Sequence, residues 1–148
     1  MARIRRIVYA SDFSPASRAA FAKALELAKS FRAELLGVHV LAPVVPVVGE
    51  GYISPSTYQQ MEASARAWAR KRLAALVARA RKAGVRAKAV LLEGVAHEQI
   101  VRAARARRAD LIVVGTHGRS GLARFFLGSV AGRVATMATC PVLTVRGR

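Results

Sequence analysis

Four glycines fall within fourteen residues in the last third of the chain, Gly115, Gly118, Gly121 and Gly128, and Ser129 follows the last directly. They begin at the carboxyl end of an apolar run, Leu111 to Val114, and enclose Thr116, His117, Arg119, Ser120 and Arg124. Glycine lets a backbone approach a ligand closely and turn with positive φ, so that successive N–H groups can face phosphate oxygens. Gly128 and Ser129 then open a helix, whose first amides and positive dipole end favour an anion. Arg119 and Arg124 add full positive charge. The pattern is that of a phosphate cradle. It is not a Walker A loop, because no Gly-Lys-Ser or Gly-Lys-Thr follows. It is not a dinucleotide fingerprint either, because GxGxxG is missing after the first strand.

The other reactive residues are sparse. Asp12, in the turn Ser11-Asp12-Phe13-Ser14-Pro15, either faces a ligand or orders the turn before a helix. Ser129 suits a helix N-cap with or without a ligand. His117 is a phosphate contact or general base in one reading and a plain loop residue in the other; it has no partner carboxylate nearby, which favours the plain reading. His39 and His97 are too isolated for metal ligation, and Phe125 and Phe126 read as core anchors. Asp12 and Asp110 are the two aspartates, and Asp110 lies at the start of a strand, the wrong end for a site. The single cysteine, Cys140, excludes an internal disulfide and a CxxC pair and reads as a small buried filler.

The elements that must position these residues alternate strictly. Ile4 to Ala10 reads as a strand, Ala16 to Phe31 as a helix with Ala20, Phe21, Ala24, Leu25, Leu27 and Ala28 inward, and Leu35 to Leu41 as a strand covered on both faces. Ala42 to Thr57 reads as a long loop. A second helix is expected from Ser56 or Tyr58 to Ala83, with Met61, Ala65, Trp68, Leu73, Leu76, Val77 and Ala80 in the core and Arg66, Arg70, Lys71, Arg79 and Lys82 toward solvent. Val85 to Leu92, Leu111 to Val114 and Pro141 to Val145 read as strands, and Ala96 to Arg107 and Ser129 to Ala138 as helices. Five strands alternating with four helices imply an α/β fold, a doubly wound parallel sheet with helices on both faces. Ligands in such sheets sit beyond the carboxyl ends of the strands, where the strand order reverses.

The chain has 148 residues, the size of a single domain spanning 1–148, and its 53% apolar content excludes disorder as the main state. The longest apolar-leaning stretch, Leu35 to Val48, is interrupted by His39, Pro43 and Pro46 and falls short of the roughly 18 to 20 residues that span a bilayer. The apolar run behind Arg3, Arg5 and Arg6 is too short for a signal-peptide core, so the cytoplasm is the default location. The net charge of +17, with a pI near 11.7, attracts polyanions whatever the specific function.

The spacing Gly115, two residues, Gly118, nine residues, Gly128, Ser129 resembles the ATP-binding signature of the universal stress protein family. So do the Asp-containing turn after the first strand, the second strand ending in His39 and Val40, the segment Ala109 to Gly115, and the closing segment Cys140 to Val145. The resemblance implies a Rossmann-like, adenine nucleotide alpha hydrolase-like sheet of order 3-2-1-4-5. It implies that Gly115, Gly118, Gly128 and Ser129 hold ribose and phosphates with the amides of Val130 and Ala131, and that Asp12 and Val40 lie against the nucleoside. Ala10 and Ser11 beside Asp12, and His117 and Arg119 within the glycine segment, complete this nucleotide-binding set. ATP is the implied ligand, with AMP or a cyclic nucleotide left open. Any Mg²⁺ or Mn²⁺ is held mainly by the phosphates, with Ser129 as the available side chain. A homodimer through the edge strand Val142 to Val145 is implied as well.

On this reading the protein is a nucleotide-dependent stress or signalling regulator with at most slow hydrolysis, since no catalytic base or nucleophile stands out. An enzyme on the same architecture needs a reactive group that is missing. A family member without a nucleotide role, or a salt-sensitive nonspecific nucleic-acid binder, remains the alternative. Sequence-specific nucleic-acid reading is not expected.

Overall fold

The computed structural model describes residues 3–43, 53–116 and 128–147. His117, Gly118 and Arg119, with Phe125, Phe126 and the middle of the expected loop, lie outside the described residues.

The chain alternates β1 (Arg6–Ala10), α1 (Pro15–Phe31), β2 (Glu34–Leu41), α2 (Pro55–Lys82), β3 (Ala87–Glu93), α3 (Ala96–Ala106), β4 (Leu111–Thr116), α4 (Ser129–Met137) and β5 (Val142–Arg146). The five strands form one parallel sheet in the order β3-β2-β1-β4-β5. The chain therefore steps outward from β1 through β2 to β3, crosses back to β4 on the other side of β1, and ends at the edge strand β5. Crossovers of one hand place their helices on one face while the chain moves one way and on the other face after it reverses. The core follows that rule. Ile7, Tyr9, Leu35, Leu111 and Val113 pack with Ala20, Phe21, Ala24 and Ala28 of α1 and Val77 and Ala80 of α2. Val8, Ala10, Leu36, Val38, Ile112 and Val114 point the other way, onto Ile100, Val101 and Ala104 of α3 and Ala131 and Val134 of α4. Alternate residues of the central strands thus serve two separate hydrophobic layers, which is why these strands read as continuous apolar runs.

Two expectations need correction. The helix placed from Ser56 or Tyr58 begins at Pro55, because Ser54 caps it by accepting from the Thr57 N–H at 3.3 Å and Pro55 fills the first helical position. A proline read as loop punctuation is here a helix starter. Met61 and Trp68, expected in the core, are 46% and 52% exposed. Burial along α2 is confined to one stripe, Ala69, Leu73, Val77 and Ala80, and at about 100° per residue Met61 and Trp68 fall outside it.

The exposure difference along α2 separates two substitutions. Leu73→Ala, at a fully buried position, is expected to lower unfolding free energy by about 2–5 kcal/mol. Met61→Ala is expected to stay within about 0.5 kcal/mol of the parent. Urea unfolding of both variants measures the contrast.

Candidate functional site

The order reversal between β1 and β4 leaves a cleft of about 110 Å³ at the carboxyl ends of the strands, open to solvent on one side. Its floor is Ala10 and Val114, from the adjacent strands β1 and β4. Ser11 and Asp12 rise from the turn after β1, Val38, His39 and Val40 from β2, and Gly115 from β4. Gly128, Ser129, Val130 and Ala131 enter from the start of α4, and Ala96 and Ile100 from α3. Nine of the twelve residues singled out from sequence, Ala10, Ser11, Asp12, Val40, Gly115, Gly128, Ser129, Val130 and Ala131, therefore line one cleft. The other three are His117, Gly118 and Arg119, outside the described residues.

The β1–α1 turn is held by a chain of buried hydroxyls. Tyr9 Oη lies 2.5 Å from the Ser17 carbonyl oxygen and 2.7 Å from Ser17 Oγ, which in turn donates to Ser11 Oγ at 2.9 Å. Burial pushes the Tyr9 phenol above its ordinary pKa, so it stays a neutral donor to that carbonyl. Ser11 Oγ accepts from the Phe13 N–H at 3.1 Å, and Asp12 Oδ1 accepts from the Ser14 N–H at 2.9 Å. Asp12 thus orders the turn while its exposed carboxylate borders the cleft.

His39 donates through Nδ1–H to the Ser11 carbonyl at 2.6 Å and stacks on the Phe13 ring at 4.5 Å between centroids. Phe13 has φ of 62°, a left-handed conformation that costs a side-chain-bearing residue roughly 1–2 kcal/mol. Its ring is held in place by Trp68 at 5.2 Å and by the Arg72 guanidinium at 5.3 Å. Sequence reasoning missed Ser17, Val38, His39, Ala96, Ile100 and Val114 as lining residues. His39 had a usable signal, a polar residue in an otherwise apolar strand one position before Val40.

The helix ends differ in a way that bears on ligands. Ser14 caps α1 and Ser54 caps α2 through their side chains. The N-caps of α3 and α4 are Val95 and Gly128, and neither makes a side-chain capping bond. The first amides of both helices border the cleft at Ala96 and at Ser129 to Ala131, where helix geometry leaves them without an intrahelical acceptor. Ser129, read as a possible N-cap, is the first helical residue; Gly128 takes the cap with φ of −49°, a value that any residue adopts.

Gly115 is required for a reason other than ligand approach, since a Cβ there would lie 2.7 Å from the Ala16 carbonyl oxygen of α1. Asp110 lies at the opposite end of the sheet, accepting from the Arg5 and Arg6 N–H groups at 2.8 and 3.0 Å. Among the described residues no group of three or more His, Cys, Asp or Glu side chains converges as a metal site, and no helix is long and apolar enough to cross a membrane. Cys140 is half-buried beside the α3/α4 core layer, and burial raises its thiol pKa.

Compared with known proteins, residues 3–146 match the model of the Universal stress protein family. The chain is similar to Universal stress protein MJ0531 of Methanocaldococcus jannaschii, 36% identical over 144 residues that make up 96% of this chain and 82% of the relative. Its fold superposes on a universal stress protein family structure from Burkholderia pseudomallei with a TM-score of 0.77 and 30% identity, covering 98% of both chains. It also superposes on the universal stress protein from Archaeoglobus fulgidus in complex with dAMP, with a TM-score of 0.64 and 25% identity, covering 98% of this chain and 99% of that one.

Two outcomes follow from the site's packing. Gly115→Ala forces α1 away from β4 and is expected to cost about 1–3 kcal/mol of stability, read from chemical denaturation. Cys140, held as the neutral thiol, is expected to react with a disulfide reagent at pH 8 more slowly than free cysteine; a stopped-flow absorbance trace gives the rates.

Proposed function

The chain belongs to the universal stress protein family, and from that membership and the form of the cleft we propose that it binds an adenine nucleotide, ATP, between β1 and β4. The observation that carries the proposal is the uncapped start of α4. Among the described residues, the amides of Ser129, Val130 and Ala131 border the cleft without a side-chain partner, and an anion satisfies them and meets the positive end of the helix dipole. Gly115, Gly118 and Gly128 bring backbone up to the phosphates and ribose, with His117 and Arg119 on the same segment. Asp12 and the main chain of Val40 lie on the nucleoside side, and Ala10 and Ser11 support Asp12. The relative from Archaeoglobus fulgidus, described as a dAMP complex, supports an adenine ligand on this fold.

A divalent cation, Mg²⁺ or Mn²⁺, rides on the phosphates in this reading, with Ser129 Oγ as its one side-chain ligand. When bound, it supplies charge neutralisation of the phosphates. Among the described residues the cleft offers no strong base beside a nucleophile, and in this reading nucleotide occupancy acts as a signal in the cytoplasm with at most slow hydrolysis. The half-exposed edge strand β5, bonded to β4 on one side, is the surface through which two copies pair.

Calorimetric titration with ATP, AMP and GTP at physiological salt tests the proposal. The expected outcome is saturable ATP binding at one site per chain, weakened roughly 10- to 100-fold by Ser129→Val through loss of a charge-assisted hydrogen bond of about 1.5–3 kcal/mol. Asp12→Asn is expected to weaken ATP and AMP alike. Binding that is equal in all variants and vanishes with added salt overturns the reading.

A further inference from the structure

The opposite end of the sheet, where the strands begin, carries a concentration of positive charge that the nucleotide cleft does not use. Arg3, Arg5, Arg32, Arg86 and Lys88 border one shallow, solvent-open depression there. Arg6, Arg107 and Arg108 border the next. All eight side chains are exposed. The carboxylates among them are Glu34, 3.9 Å from Lys88 Nζ, and Asp110, occupied by two backbone N–H groups. Eight cations less two carboxylates leave a local charge of +6, while Asp12, Glu62, Glu93 and Glu98 lie toward the other end.

Part of this charge has a structural use. The helices run antiparallel to the strands, so α1, α2 and α3 end here and present their negative dipole ends. Arg6 Nη1 donates to the Arg107 carbonyl and Arg86 Nη2 to the Arg32 carbonyl, each at 3.4 Å. Among the described residues, Arg3, Arg5, Arg32, Arg107 and Arg108 make no side-chain hydrogen bond or ion pair. Capping the helices therefore accounts for two guanidinium groups and leaves most of the mutually repelling charge without a partner.

We propose that this end of the sheet binds the phosphodiester backbone of duplex nucleic acid without reading its sequence. Seven of the eight cations are arginines, whose planar fork matches phosphate oxygens in pairs. They stretch across the starts of four neighbouring strands, β3, β2, β1 and β4, roughly 14 Å at about 4.8 Å per strand. One strand of a duplex places a phosphate about every 3.4 Å along the axis, so the row meets about four of them. Single-strand binding needs several aromatic platforms and membrane insertion needs an apolar surface. Phe31 and Met137, at the ends of α1 and α4, are the exposed large apolar side chains here among the described residues.

The test is fluorescence anisotropy of a short labelled duplex of mixed sequence, titrated with the full chain over a series of salt concentrations. Four phosphate contacts predict that log K falls against log salt with a slope of about −3 to −4. The triple variant Arg5→Gln, Lys88→Gln, Arg107→Gln is expected to flatten that slope by about 2.7 and to lose at least tenfold in affinity. The control Arg18→Gln, Arg70→Gln, Arg102→Gln, which removes three exposed cations elsewhere, keeps most of both. If the triple variant does not fold by circular dichroism, the single substitutions carry the test, each flattening the slope by about 0.9. Equal losses in the two triple variants overturn the proposal, because affinity then follows total charge and not this face. Tighter binding to single strands than to duplex, or binding to phosphatidylserine vesicles without binding to duplex, overturns it as well. The readout does not depend on ATP, so a failure of nucleotide binding leaves the result interpretable.

Discussion

The parallel pairing of β1 with β4 is the constraint on which the other arrangements depend. It joins the first strand of the chain to a strand that follows three helices, with Ile7 to Ala10 in register with Leu111 to Val114. Because β2 already occupies the other edge of β1, the chain must reverse direction across the sheet, and helices of one crossover hand must change faces there. The two core layers, the cleft at the reversal and the convergence of the α3 and α4 N-termini on it all follow from that step. The Ser11–Phe13 turn lies directly above the same pairing, and its hydroxyl chain to Tyr9 and Ser17 ties the cleft wall to the α1 side of the core.

The same geometry gives the molecule two electrostatic ends. Parallel strands with antiparallel helices collect helix N-termini at one end of the sheet and helix C-termini at the other. The first end holds the cleft, bordered by the first amides of α3 and α4. The second holds the arginines, two of which cap helix carbonyls. Anions are attracted to both ends for different reasons: localised backbone dipoles in the cleft, and the summed field of exposed guanidinium groups at the other end.

The alternation of elements was legible in the sequence because the central strands β1, β2 and β4 are largely apolar on both faces and the helices between them carry an inward stripe. The placement of Asp12, Gly115 and Gly128 around one cleft was legible because doubly wound sheets put ligands beyond the strand ends. Periodicity misplaced Met61 and Trp68 along α2; both are exposed because they fall outside the stripe of Ala69, Leu73, Val77 and Ala80. His39 escaped notice as a cleft residue for a different reason. Its partners are Phe13 and the Ser11 carbonyl, distant in sequence and brought together by the β1–β2 register, so no local pattern announces them. Gly115 packs against the Ala16 carbonyl of α1 as well as lining the cleft, a contact between elements that spacing alone does not reveal.

That contact reaches further than one position. A Cβ at Gly147 would lie 2.6 Å from Ala16 Cα, as one at Gly115 would lie 2.7 Å from the Ala16 carbonyl oxygen. The N-terminal turn of α1 therefore rests on bare backbone from β4 and from the residue just past β5. Ala16, Gly115 and Gly147 behave as a single unit of sequence change, with non-additive effects expected for residues sharing one contact. Added bulk at any one of them must be absorbed by the other two, so three sites spread over the length of the chain share a single allowance of space.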